Sequence, residues 1–581
     1  MKIQGQIFTK KTPRRPANRK TPILAHLSRS LRGAAPLALA AALSFAPAAH
    51  AQDGGTLNMF TSGYRTLNPA VQSGAATGVP GSQIFAGLMT VGADYAIQPY
   101  LAQSWTVSVD QLTVTFTLTP NAHFHDGTTI TGEDVKFSLE AVRENHPFGA
   151  AMFGNVASID VPDDTTVVLH LSQPVPGLMY AFQPLLMPIL PKHVYGDGQP
   201  LKTHPRNMEN VVGSGPFKVA ENAPAERLVL VKNDDFFLPG KPHLDKIVFP
   251  VVKDPLTRVL MLEKGEIDYA PFAGLRPNDA SRLEKTKGVN VTTEGYDAIG
   301  YVHYLEMNLR NAPFSDHAVR EALAHAIDTG FLSKVIFGGR TVPGTGPLHT
   351  GNPFYSADVP MYAPDMDLAA QMLDEAGYPV GADGTRFAFT LDVPSWAPQA
   401  HVPMAEYIQA QLAKLNITVE LRKAPDFGTW VKRIAAFDYD ATMNGSFNYP
   451  DPTIGVQRHF DCDNIKPVIW ANTEGYCNPD MDALLDAAAV EPDFEKRALR
   501  NAILPVVTFA GLQFGQVISG AVLVETVFAW PGLGTLAYES ILRRDTPTLL
   551  GILFFSALMV IVMNMLTDVV YRRIDPRIKA R

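Results

Sequence analysis

The chain has 581 residues, 46% of them hydrophobic and 18% charged, with a net charge of -8; this exceeds what one ordinary core serves, so two or three domains are expected. The basic residues are gathered at the ends, nine Lys or Arg before Gly33 without one acid and five after Val570, each group beside an apolar run. That arrangement points to membrane targeting and away from a nucleic-acid-binding surface.

Residues 1–51 read as a secretory signal peptide. A basic stretch from Lys2 to Arg32 precedes an apolar run from Ala34 to Ala46, and Ala49-His50-Ala51 offers small residues for cleavage before Gln52. An uncleaved anchor or a disordered tail is the alternative. No apolar residue closely follows Arg14-Arg15, which favours general secretion over a twin-arginine route.

Short β-rich runs then alternate with helical patterns, as in a mixed α/β protein. Leu112 to Leu118 alternates apolar residues with Thr, and Val167 to Leu171 and Leu228 to Val231 are further strands. Thr131 followed by Glu133 and Asp134 opens a helix whose Val135, Leu139 and Val142 share a face. Ser315 is expected to cap a second helix, and Asp367 to start a third that Gly377 ends. Cys462 and Cys477, in an oxidising compartment, form a disulfide worth roughly 3 kcal/mol or remain two buried thiols. Residues 501–524 and 546–567 carry no charge, each run being long enough to cross a bilayer core of about 30 Å.

Catalytic signatures are missing where they would be plain. The sequence has no phosphate-binding P-loop, H-E-x-x-H helix or G-x-S-x-G elbow, so no enzyme activity and no cofactor are expected. His123 and His125 can face one way on a strand, but no third and fourth ligands are recognisable, and a hydrogen-bonded pair is the simpler reading. Gly213-Ser214-Gly215-Pro216 is too short to cradle phosphate and reads as a turn.

Several stretches resemble, in order, the solute-binding proteins of dipeptide, oligopeptide and nickel ABC importers. They are Phe124-His125-Asp126-Gly127 with Glu133 to Ser138, then Gly213 to Phe217, then Asn233 to Gly240. Asn308, Pro313 to Asp316 and Val319 to Asp328 complete the set. The resemblance implies a two-lobed α/β periplasmic-binding-protein fold of the large peptide-binding type. Lobe I would take residues 52–82 and 208–298, a subdomain 83–207, and lobe II 299–497. Solute would be held in the cleft as the lobes close about a hinge.

In peptide-binding relatives an acid shortly before an Asp-Pro holds the ligand's ammonium group; Asn448 stands at the matching position, and an amide supplies no counter-charge. Phe447, Tyr449 and Trp430 can line an aromatic subsite or pack in the core. Asp451 is a ligand group or a turn residue, and Arg320 can pair with an acid across a lobe.

From residue 498 onward the resemblance changes. Leu499 to Pro505, Glu525 to Phe528, Pro531 to Gly534 and Ile574 to Arg577 look like the C-terminal end of the partner permease, so two transmembrane helices are expected. A cleaved signal would bring this hairpin to the membrane from outside and leave its basic tail external, against the positive-inside preference. The resemblance also implies that the segment returning from lobe II to lobe I is replaced, leaving an edge of lobe I incompletely covered. The expected protein is a periplasmic receptor for a peptide-like or other small polar solute, tethered by its hairpin, with an ABC permease and its ATPase as partners and no nucleic acid. A gene fusion explains the junction; a membrane translocation subunit and a non-functional fusion product are the competing readings.

Overall fold

The computed structural model describes residues 54–493 except 93, 272–273, 296–298, 358 and 360, together with isolated residues between 536 and 554. The expected signal peptide, the span at 501–524 and most of the span at 546–567 lie outside the described residues. Among the described residues no helix is long and apolar enough to cross a membrane.

The chain opens with β1 (Thr56–Asn58) and a helix, Ala75–Ile84, before the hairpin of β2 (Met89–Val91) and β3 (Ile97–Pro99). A four-stranded antiparallel sheet follows, built from β4 (Ala102–Val107), β5 (Thr113–Leu118), β6 (Val156–Asp163) and β7 (Thr166–Leu171) in the order β4-β5-β7-β6. Val114, Phe116 and Leu118 all point inward from β5, as its period-two pattern requires. The helix Gly132–Asn145 covers the sheet. Asp134 accepts from both the N–H and the hydroxyl of Thr131 at 2.9 Å, which fixes the first turn.

The chain then returns to its beginning. Strands β8 (Phe217–Ala223), β9 (Arg227–Lys232) and β10 (Lys246–Pro250) form a meander whose last strand pairs in parallel with β1, Leu57 opposite Ile247. A mostly apolar groove of 660 Å³ opens over this sheet, lined among others by Leu57, Met59, Phe217, Leu244 and Ile247. One continuous core runs from Met59 to Phe249 through both sheets.

The second half builds its own sheet, in the order β11-β14-β12-β13, from β11 (Tyr301–Met307), β12 (Phe387–Val393), β13 (Ile417–Lys423) and β14 (Ala441–Phe447). The parallel pair β12 and β13 needs a crossover, which the helix Pro398–Ala413 provides. A separate core from Phe314 to Met443 fills this half. Its other helices begin slightly earlier or later than the sequence pattern places them. Asp316, not Ser315, caps His317–Ala326 by accepting from the Ala318 N–H at 2.9 Å. Asp365 does the same for Met366–Glu375, two residues before Asp367. In both cases a carboxylate that reaches the free amides of the first turn sets the boundary. Among the described residues Arg320 pairs with no acid across a lobe; it donates to the carbonyls of Phe314 and Ser315 and ties down the turn before its own helix.

Candidate functional site

The residues after β14 join the two halves. β14 is the buried middle of the second sheet, yet Tyr449 and Ile454, immediately beyond it, pack into the core of the first half. The chain makes this crossing through Tyr449 at φ 54°, a left-handed conformation that a tyrosine seldom adopts without tertiary support. Asp451 then caps the short helix Pro452–Gly455, its carboxylate accepting from the Thr453 N–H at 3.0 Å and hydroxyl at 2.6 Å. The same carboxylate lies against Gly177 of the first half, where an added Cβ would come within 2.6 Å of it.

The amide of Asn448 is engaged by the protein itself. Its Oδ1 accepts from the His349 N–H, its Nδ2 donates to the Pro347 carbonyl at 3.1 Å, and its own N–H donates to Gly300. Asn352 adds a bond to the Tyr449 carbonyl, while the Tyr95 hydroxyl reaches the Gly351 carbonyl from the first half at 2.9 Å. The loop around residues 347–352 is thus clamped over the crossing segment.

Phe447 is half-buried, with its ring 5.4 Å from Tyr301 and 6.0 Å from Tyr449. Trp430 lies elsewhere, fully buried in a small separate core, with its indole N–H donating to Thr442 at 3.0 Å. Cys462 and Cys477 form a disulfide beside this region, with Cα atoms 4.7 Å apart. Asp482 lies close enough to share a metal ion with both sulfurs, but sulfurs bonded to each other supply no thiolate.

Other site features have no local sequence signal. Arg458 is 4% exposed, donates through Nε to Ile454 and through Nη1 to Trp470, and lies 4.0 Å from the centroid of Phe148 in the first half. Burial lowers its pKa to about 10, so it stays cationic at neutral pH. Glu306 accepts 2.6 Å bonds from Tyr439, Thr473 and Asn444. Glu474 nearby is part-exposed as a residue, but its Oε2 is out of solvent and without a hydrogen-bond partner among the described residues.

Burial first and the charge of Glu306 second raise the pKa of Glu474, against the opposing pull of Arg310 and Arg458. Folding therefore favours the protonated acid, and stability falls as the pH rises from the ordinary glutamate range toward the raised value. Glu474→Gln is expected to raise Tm by roughly 1–3 °C at pH 7 and to change it little at pH 4; differential scanning fluorimetry at both pH values checks this, and a lower Tm at pH 7 contradicts it.

Two histidines of the second half form a neutral pair, His303 Nδ1 lying 3.2 Å from His401 Nε2. Burial pushes their pKa values down to about 4 and about 3. His123 and His125 do not act together. His125 brackets the Gly213–Gly215 turn, accepting from the Gly213 N–H at 3.1 Å and bonding the Gly215 carbonyl at 3.0 Å, while His123 bridges to Thr129.

Comparison with known proteins places residues 96–467 in the family described as bacterial extracellular solute-binding proteins, family 5. Residues 494–580 match the inner membrane component of binding-protein-dependent transport systems. The probable D,D-dipeptide-binding periplasmic protein DdpA of Escherichia coli K12 is 30% identical over 404 residues, 68% of this chain and 74% of that one. Helicobacter pylori DppA, solved with the peptide STSA, superposes with a TM-score of 0.69 at 25% identity, covering 78% of this chain and 89% of that one. AgaA of A. tumefaciens R10, solved with agropinic acid, reaches a TM-score of 0.64 at 29% identity, over 77% and 88% of the two chains.

Proposed function

This chain belongs to the family 5 bacterial extracellular solute-binding proteins, and from that premise we propose that it captures a peptide-like or other small polar solute between its two halves and delivers it to an ABC permease. The observation that carries this reading is the segment from Asn448 to Arg458, which runs from the second core into the first and places polar and aromatic side chains where the halves meet. A ligand seated there would touch both halves at once, which couples binding to closure. The protein acts on the solute by holding it, without catalysis.

The ligands of similar proteins support the same class. DdpA is named for D,D-dipeptides, and the DppA and AgaA structures hold a tetrapeptide and agropinic acid. With Asn448 where such receptors are expected to carry an acid, a solute whose amino end is uncharged fits better than an ordinary free-amino peptide.

Residues 494–580 would tether this receptor to the inner membrane with the binding halves in the periplasm. Two spans do not enclose a translocation path, so the permease-like part serves as an anchor or is an inactive product of gene fusion. The test is thermal titration of the full chain, in detergent, against a library of small peptides and N-acylated peptides. Saturable stabilisation is expected; chemical turnover of the peptides would overturn the receptor reading.

A further inference from the structure

Arg458 is a buried cation that no carboxylate pairs among the described residues. Among the described residues it forms no ion pair, and its Nη2 makes no hydrogen bond; the guanidinium is held by two carbonyls and the face of Phe148. The acid whose charge reaches it, Glu474, makes no ion pair with it, and burial and the charge of Glu306 raise the pKa of that acid. An uncompensated charge is costly in such a place, and structural stapling of Ile454 and Trp470 uses only part of the guanidinium.

Two side chains that feel its charge, Tyr449 and His146, are hydrogen-bond donors without acceptors among the described residues. The Tyr449 hydroxyl and His146 Nε2 are both buried. His146 Nδ1 accepts from the Phe148 N–H at 3.1 Å, and burial lowers the imidazole pKa to about 3. The ring is therefore neutral, with its proton on Nε2 and available to donate. Its ring centroid is 5.1 Å from that of Phe148, which in turn lies 6.4 Å from Tyr449. His146 and Phe148 come from the first half and Arg458 and Tyr449 from later in the chain, so one small acceptor would be gripped from both sides.

We propose that this cluster is an anion subsite that takes a carboxylate of the solute, with Arg458 as its counter-charge and Tyr449 and His146 as neutral donors. The inference rests on the receptor reading above and narrows it. The solute class becomes peptide-like acids whose amino end carries no charge, because Asn448 offers that end no counter-ion.

The test uses the full chain and dialanine derivatives in both D,D and L,L forms: dialanine, N-acetyl-dialanine and N-acetyl-dialanine amide, followed by calorimetric titration. N-acetyl-dialanine is expected to bind about ten-fold or more tightly than its amide, as a charge-assisted contact requires. Arg458→Gln should bring that ratio to about one, and Tyr449→Phe should reduce it. The wild-type ratio alone decides the matter should Arg458→Gln not fold. Equal binding of acid and amide by the wild type would overturn the subsite and leave the receptor reading standing. Saturable binding of none of the probes would overturn the subsite too, and the peptide library above then decides the receptor reading.

Discussion

Gly455→Ala is expected to destabilise the protein by about 3 kcal/mol, the upper end for a single added methyl group in a packed site, and to remove solute binding with it. A Cβ at this position would lie 1.4 Å from the Asn448 carbonyl oxygen and 2.1 Å from its carbon. These are backbone atoms, so no rotamer change relieves the clash, and the helix Pro452–Gly455 must move. Asn448 would then lose its bonds to Pro347 and His349, and Asp451 its cap on Thr453. Urea unfolding followed by tryptophan fluorescence measures the loss; a variant within about 0.5 kcal/mol of wild type, the range of neutral surface changes, would show that the crossing segment is not packed as described.

Asp392→Ala should cost as much for an electrostatic reason, about 3–5 kcal/mol. Asp392, next to the end of β12, is fully buried, where Arg422 grips it with two bonds of 3.0 and 2.7 Å and Arg433 donates to Oδ1 as well. The carboxylate ties β13 and the helix Phe427–Ala435 to the sheet. Removing it leaves two guanidinium groups close together with their common acceptor gone. Asp392→Asn keeps the shape and one acceptor, so its loss should be smaller. The same urea titration checks both, and an alanine variant that loses under about 1 kcal/mol would place the pair in the weak class of exposed ion pairs.

The parts of this fold that were legible in sequence are those with local causes. Alternation in Thr113 to Leu118 needs only the strand period, and Thr131 with Asp134 needs only the free amides of a first helical turn. The helix starts at Asp316 and Asp365 were misplaced by one and two residues, because neighbouring residues also suit a cap and only the folded geometry chooses between them.

The site was less legible because its contacts are distant in sequence. Asn448 stood out against the expected acid, but nothing near it announces partners at Pro347 and His349. Of the three aromatic candidates, Tyr449 packs into the core of the first half and Trp430 into a small separate core, while Phe447 stays half-buried at the crossing. Arg458 meets Phe148 from more than 300 positions away, and the proximity of Glu306 and Glu474 likewise follows no period that a sequence pattern could reveal.

The central claim is that the residues joining the two halves hold the solute. Hydrogen–deuterium exchange of the full chain, with and without a saturating mixture of small peptides and N-acetyl peptides, tests it most directly. Slowed exchange is expected at residues 146–153 and 448–474, on both sides of the crossing. Protection confined to residues after 493 would contradict the account.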